Sequence, residues 1–138
     1  MDYLITFEEG SAENLPYEDN TFDAITVAFG VRNFEDLNKG LQEMYRVLKT
    51  GGTLVVLEFS QPTIFPFKQI FNIYFKYLLP LVGRFTSKDP KAYQYLYDSV
   101  QAFPAGDKFL TILENTGYKS NQCIPLTLGI CSIYHGKK

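Results

Sequence analysis

Hydrophobic positions recur first with extended and then with helical spacing, and this order predicts a sheet with helices crossing between its strands. The runs at 22–29 (FDAITVAF) and 53–59 (TLVVLEF) are apolar at consecutive positions, which is typical of parallel strands covered on both faces. Between them, apolar residues recur every three or four positions up to Lys49, after polar residues at 33–36 that can cap a helix. Gly51 and Gly52 are expected to end this helix. The three segments form a βαβ unit, whose crossover should be right-handed.

The flanking segments extend this architecture in both directions. A short apolar run at 3–7 predicts a further strand, and a polar loop follows it at 10–20. Helices are expected at about 66–79, 91–101 and 106–116, and strands at about 118–123 and 126–135. The last two strands are joined by a short link and should form an antiparallel hairpin. The predicted class is α/β with a mixed sheet, in a single domain over 1–138 with a helical insert at about 60–105.

Composition and charge exclude several classes of protein. A hydrophobic fraction of 46% excludes a disordered chain, and a formal net charge of −2 argues against a dedicated nucleic-acid binder. The apolar window 64–85 contains Lys68, Lys76 and Arg84, so it does not predict a membrane-spanning helix. Cys123 and Cys131 lack CxxC spacing, so we expect reduced thiols in a cytosolic protein and no metal site. The first ten residues carry acids where a secretory signal would carry bases.

Candidate chemistry lies in the loops that follow the predicted parallel strands. In open α/β sheets, ligands bind beyond the carboxyl ends of such strands. The loops in question are 10–16 after the first strand, 30–34 after FDAITVAF and 60–62 after TLVVLEF. Together they are expected to form one wall of a pocket.

The same loops carry a family resemblance, in the strings FGVRN (29–33), EMYRVLK-x-GG (43–52) and LEFS-x-P (57–62). With LPYEDNTFD (15–23) and DPKAYQYLYDSV (89–100), they make the chain similar to the second half of a class I S-adenosylmethionine (SAM)-dependent methyltransferase. More narrowly, the chain resembles the UbiE/MenG family, the ubiquinone and menaquinone C-methyltransferases. The resemblance covers essentially the whole chain.

The resemblance implies an incomplete Rossmann-like class I methyltransferase sheet. The complete sheet has the strand order three, two, one, four, five, seven, six, and this chain lacks the first two strands. It also lacks the family's Gly-rich loop and the acidic residue that hold the cofactor's methionine and ribose, so its SAM site should be incomplete. The run Leu4–Thr6 is expected either to dock on the open edge of the FDAITVAF strand or to leave that edge to a second chain, giving a homodimer or an edge-paired oligomer.

The resemblance also implies roles for individual residues. Arg32 is placed over the substrate, where a guanidinium favours ionisation of a phenol by about 4 kcal/mol for unit charges 4 Å apart at an effective dielectric of 20. A surface pairing of Arg32 with Glu35 or Asp36 is the alternative. The cofactor-binding candidates are Ser11, Ala12, Glu13, Phe29 and Gly30, and the substrate-binding candidates are Asn33, Ser60, Tyr93 and Tyr97. The family usually has Asp or Asn in place of Ser11 and proline in place of Thr50. Asn33 could equally cap a helix, and whether Glu58 touches substrate stays open.

The implied reaction is SAM-dependent C-methylation of a prenylated quinol, either demethylmenaquinol or the ubiquinone precursor. The alternatives are a non-catalytic fragment that self-associates or needs the missing half, and another small-molecule methyltransferase. The aromatic helix from Phe67 to Leu78 either packs the core or forms a lid whose outer face receives a prenyl tail or touches a membrane. Tyr93, Tyr95 and Tyr97 cannot share one helix face. A cytoplasmic protein is implied, with peripheral contact at the inner face of the membrane left open.

Overall fold

A computed structural model describes residues 4–86 and 89–138, which form a four-stranded mixed sheet with helices packed around it. The strands are β1 (Phe22–Ala28), β2 (Leu48–Phe59), β3 (Lys119–Leu126) and β4 (Cys131–Lys137). The helices are α1 (Leu37–Val47), α2 (Phe67–Ile73), α3 (Leu79–Thr86), α4 (Pro90–Ala102) and α5 (Asp107–Thr116). A 3-10 turn over Val31–Asn33 follows β1, and a π-helical turn over Tyr74–Leu78 joins α2 to α3.

The strand order β1-β2-β4-β3 confirms the incomplete class I sheet. β1 pairs with β2 in parallel, whereas β4 runs antiparallel to both β2 and β3. This order is the four, five, seven, six portion of the complete sheet. The predicted C-terminal hairpin is therefore present, with β4 between β2 and β3 as the expected order requires.

The helix of the βαβ unit begins where expected and ends earlier than expected. The Asp36 carboxylate accepts from the Lys39 backbone N–H at 3.0 Å, so Asp36 and not Asn33 caps α1. The helix ends at Val47 because the next residues turn directly into β2. Gly51 instead provides a positive φ of 80° within the strand, where a residue with a Cβ would be strained.

The expectation that β1 is buried on both faces is wrong. Its residues alternate between half-buried and exposed because β1 is the edge of the sheet and pairs only with β2 among the described residues. The predicted strand at 3–7 is also wrong over residues 4–7, and Tyr3 lies outside the described residues. Leu4, Ile5 and Phe7 are exposed and do not dock on β1. Pairing of two chains along this edge stays a prediction.

Two apolar clusters hold the layers together. α1 and α5 pack with the sheet in the larger cluster, whose fully buried members include Leu41, Leu54, Phe109 and Tyr134. The smaller cluster joins α2, the π-helical turn and α4 through Phe71, Phe75 and Val100. The helical segment at 67–86 continues past the predicted end at 79. It covers the carboxyl end of β2, where the rings of Phe75 and Phe59 are in contact. No helix in the described ranges is long and apolar enough to cross a membrane.

Candidate active site at the carboxyl ends of β1 and β2

Arg32 forms a buried ion pair with Glu58 at the carboxyl ends of the two parallel strands. Its Nη1 donates to Glu58 Oε1 at 2.7 Å, and the Glu58 side chain is fully buried. The same carboxylate accepts from the backbone N–H of Phe59 at 2.9 Å and from that of Arg32 at 3.4 Å. The alternative of a surface pairing with Glu35 or Asp36 is therefore wrong.

Three further contacts fix the orientation of the guanidinium. Nη1 also donates to the Phe29 carbonyl at 2.8 Å, and Nε donates to Ser99 Oγ on α4 at 3.3 Å. Cζ lies 5.4 Å from the centroid of the Phe59 ring, within cation–π distance. Among the described residues, Nη2 has no hydrogen-bond partner. The result is a cation held in one position with an N–H group left for a ligand oxygen.

Phe29 and Phe59 build an aromatic wall beside this cation. Their ring centroids are 4.8 Å apart, and Phe59 also makes an edge contact with Phe75. Phe29 has a φ of 53°, which is uncommon for a bulky residue, and its N–H donates to the Leu57 carbonyl at 2.8 Å. Such backbone strain clusters at functional sites. Gly30, by contrast, has a φ of −119° and needs no glycine-specific conformation.

The polar turn after residue 10 reaches the start of α1. Ser11 Oγ accepts from the Glu13 N–H at 3.2 Å, and Glu13 Oε1 accepts from the Asp36 N–H at 2.9 Å. Ala12 packs against the larger cluster, as does Phe34. The structure thus brings the three candidates of this turn alongside the loop that follows β1. Their cofactor role stays a prediction, since Glu13 already holds the helix terminus.

An apolar groove of about 420 Å³ runs along β1 and is open to solvent. Ala12, Ile25, Val27 and Phe34 contribute to its lining. These walls are apolar, as a site for a flat heteroaromatic ring requires, whereas Ser11 is not part of the lining. The cofactor role of this groove stays a prediction.

The substrate-binding candidates lie in different surroundings. Asn33 Oδ1 accepts a hydrogen bond from the Tyr95 hydroxyl at 2.7 Å. Helix α4 therefore contacts the Arg32 loop through Tyr95, which is not one of the substrate-binding candidates. Tyr93 packs on Gly83, where a Cβ would lie 2.4 Å from the ring, and Tyr97 packs on the smaller cluster. Tyr95 is 57% exposed, whereas Tyr93 and Tyr97 are half-buried, so the prediction that the three cannot all share one helix face is confirmed.

Ser60 does not join the Arg32 cluster. Its Oγ donates to the Gly129 carbonyl at 2.7 Å and lies 2.9 Å from Ser132 Oγ. It lines a cavity of about 530 Å³ between the 60–67 segment and the β3–β4 corner, and Arg32 is not part of that lining. Its substrate contact stays a prediction.

Glu58 is the residue that sequence reasoning undervalued. Leu54, Val56 and Glu58 alternate along β2 and all point to the buried face. A lone carboxylate at an inward position of an apolar strand requires a buried cationic partner, and Arg32 is a nearby cation in the loop after the paired strand. Burial, and to a smaller extent the Glu58 charge, raises the pKa of the Cys131 thiol. Cys123 and Cys131 are both half-buried free cysteines.

A second ion-pair network holds the loop that leads into β1. Arg46 on α1 donates from Nε and Nη2 to the two oxygens of Glu43, and from Nη1 to the carbonyl of Tyr17 and to Asp19. Glu43 also accepts from the Leu15 N–H at 2.9 Å. Hydrogen bonds from Arg46 lower the pKa of Glu43 to about 2. These contacts fix the loop next to the candidate cofactor turn.

Comparison with known proteins assigns the family. The profile of the ubiE/COQ5 methyltransferase family matches residues 2–138. The chain belongs to this family. It is 51% identical to a demethylmenaquinone methyltransferase of Bacteroides fragilis over 97% of this chain and 55% of that protein. It is 46% identical to the ubiquinone/menaquinone biosynthesis C-methyltransferase UbiE of Geotalea daltonii, over 97% of the chain and 57% of the relative. The chain therefore spans about half the length of these relatives.

Solved structures support the fold of this UbiE/COQ5 family member independently. A SAM-dependent methyltransferase of Thermotoga maritima superposes with a TM-score of 0.62 at 20% identity, over 94% of this chain and 62% of that one. Another from Aquifex aeolicus gives a TM-score of 0.59 at 17% identity, over 95% and 53%. These likenesses identify the incomplete class I methyltransferase fold.

Proposed function

We propose that this chain forms part of an enzyme that transfers a methyl group from SAM to a ring carbon of a prenylated quinol. The observation that carries the proposal is the oriented Arg32 guanidinium, held by buried Glu58 at the carboxyl ends of β1 and β2 in a member of this family. Demethylmenaquinol is the favoured substrate, because the Bacteroides fragilis relative carries the name demethylmenaquinone methyltransferase.

Arg32 would act on the substrate as a fixed cation. A phenolic oxygen near Nη2 ionises more readily, and the phenolate raises electron density on the adjacent ring carbon that is methylated. The guanidinium itself is a poor base because its pKa lies above 12. Glu58 holds the cation in place, and the wall of Phe29 and Phe59 offers an apolar surface to an aromatic ring.

The groove along β1 would hold part of the cofactor. The turn at Ser11–Glu13 and the walls at Val27 and Phe34 are suited to the adenine end. SAM supplies a methyl group on a sulfonium, and this chain's residues supply only one side of its cradle. Full affinity would then require the portion that corresponds to the rest of the family's length.

The test is a chimaera that joins this chain to the part of the Bacteroides fragilis relative that the alignment does not cover. We expect the chimaera to methylate demethylmenaquinol and to release S-adenosylhomocysteine, both measured by mass spectrometry. A folded chimaera that binds SAM but methylates no quinol would contradict the proposal. Arg84→Gln is the matched control for Arg32→Gln, since Arg84 lies on the exposed side of α3.

The rate of each variant is measured per folded molecule, with folding followed by circular dichroism, because Arg32→Gln also breaks the pair with buried Glu58. Loss of about 4 kcal/mol of charge stabilisation predicts a fall in kcat of up to roughly 10³-fold for Arg32→Gln. Raising the pH should partly restore the rate, because solvent hydroxide then ionises the quinol. An unchanged rate with quinols would favour another small-molecule substrate.

A further inference from the structure

Helix α4 docks on the turn that carries Arg32 through two hydrogen bonds that lie one helical turn apart. The Tyr95 hydroxyl donates to Asn33 Oδ1 at 2.7 Å, and Ser99 Oγ accepts from Arg32 Nε at 3.3 Å. Residues four positions apart lie on the same face of a helix. One face of α4 therefore contacts two consecutive residues of the 3-10 turn that follows β1.

Apolar packing on a neighbouring face holds α4 in this place. Val100 is 1% exposed and belongs to the smaller cluster, and Leu96 packs against the same cluster. These contacts anchor the helix without the hydroxyl groups of Tyr95 and Ser99. Removal of either hydroxyl should therefore leave α4 docked and change only what the hydroxyl holds.

Ser99 offers Arg32 a lone pair and not a proton. Its hydroxyl donates to the Leu96 carbonyl at 3.0 Å within α4, so the oxygen is left to accept from Arg32 Nε. The other hydrogen bonds of the guanidinium, to Glu58 and to the Phe29 carbonyl, both use Nη1. Bonds at one nitrogen allow the guanidinium plane to tilt about that atom, whereas the bond at Nε fixes a second point. Ser99 therefore helps to set the direction in which Nη2 points.

Tyr95 occupies the acceptor end of the Asn33 amide. Because Oδ1 accepts from the tyrosine hydroxyl, the amide is left with Nδ2, which has no hydrogen-bond partner within residues 4–86 and 89–138. An amide NH2 group only donates, as does the guanidinium of Arg32. Two consecutive residues of the turn therefore keep donors for a ligand, and this pair suits an anionic oxygen.

We propose that Tyr95 and Ser99 are positioning residues for methyl transfer, which act through Asn33 and Arg32 and hold their free N–H groups towards the quinol oxygen on which negative charge develops. The inference rests on the proposed function and deepens it, because it assigns a role to two hydroxyls of the helical insert. Donors fixed in advance stabilise a developing oxyanion, and the strength of each hydrogen bond depends on its distance and angle.

Single-hydroxyl variants of the chimaera described above test the proposal, with rates taken per folded molecule. Ser99→Ala should lower kcat about tenfold at pH 7 and Tyr95→Phe about threefold, because a hydrogen bond to a charged group contributes more than one between neutral groups. The KM for SAM should not change, and Ser99→Thr, which keeps the hydroxyl, should retain the parental rate. The matched controls are Thr111→Ala, which removes a helix hydroxyl on α5, and Tyr77→Phe, which removes an exposed tyrosine hydroxyl. Each control should change kcat by less than about twofold.

The pH profile distinguishes positioning from a merely structural role. If Ser99→Ala weakens stabilisation of the phenolate about tenfold, the rise of kcat with pH should move up by about one pH unit. The variant should then approach the parental rate at high pH. Loss of folded enzyme would instead lower the rate equally at every pH.

The outcomes separate this inference from the proposed function. A parental chimaera that binds SAM and methylates no quinol contradicts both. Parental activity with kcat and pH profile unchanged in Ser99→Ala and Tyr95→Phe overturns the positioning role alone. In the isotope-labelled chain, followed by NMR, hydrogen exchange at Arg32 Nε should be faster in Ser99→Ala than in the parent, and equal exchange would also overturn the role of Ser99.

Discussion

Removing either partner of the Arg32–Glu58 pair should destabilise the fold sharply, because the survivor is a buried charge without its counter-ion. Breaking a buried pair in this way costs about 3–5 kcal/mol, against a total stability of about 5–15 kcal/mol for a domain. The Glu58 carboxylate also accepts from the backbone N–H groups of Phe59 and Arg32. Glu58→Leu should therefore cost at least as much as Arg32→Leu.

The double variant carries the decisive comparison. Replacing both charges with Leu leaves no buried ion unpaired, so its cost should fall at least about 2 kcal/mol below the sum of the single variants. Urea unfolding at pH 7, followed by far-ultraviolet circular dichroism, measures each free energy. Arg84→Leu, the same change at an exposed site, should stay within about 0.5 kcal/mol of the parent. A cost below about 1 kcal/mol for Arg32→Leu, or strict additivity in the double variant, would refute the buried-pair reasoning.

Three further predictions follow from the packing and the groove. The pKa of Glu43 is about 2 in the folded chain and about 4.5 in the unfolded chain, so its contribution to stability is complete above pH 4.5 and is lost as the pH falls from 4.5 towards 2. Glu43→Gln should reduce this loss of unfolding free energy at low pH, measured by urea unfolding, and an unchanged pH dependence would contradict the reasoning. Gly83→Ala places a Cβ 2.4 Å from the Tyr93 ring, so it should lower the free energy of unfolding by about 1–3 kcal/mol, and Tyr93→Ala in the same chain should relieve the clash. The isolated chain should bind SAM more weakly than micromolar, and calorimetric titration with micromolar affinity would show that the groove along β1 is sufficient.

The amino-acid sequence alone determined the elements and the family. Hydrophobic spacing located β1, α1, β2 and the C-terminal hairpin, since each is built from local periodicity and local start and stop signals. The strings around Arg32 and Glu58 identified the methyltransferase family, because a motif is a local property of the chain. The capping residue Asp36 and the positive φ of Gly51 show the limit of that reasoning, since which polar residue caps and where a helix ends depend on how the next strand docks.

Only the tertiary structure decided which residues share a site. The apolar run at Leu4–Phe7 is strand-like in composition, yet without a partner it gains no ladder hydrogen bonds and stays exposed. The pairing of Arg32 with Glu58 joins residues 26 positions apart, and sequence spacing cannot report the parallel register that brings them together. Likewise, helical periodicity shows that the 67–86 segment is apolar, but only packing shows which apolar residues join the core and which stay exposed.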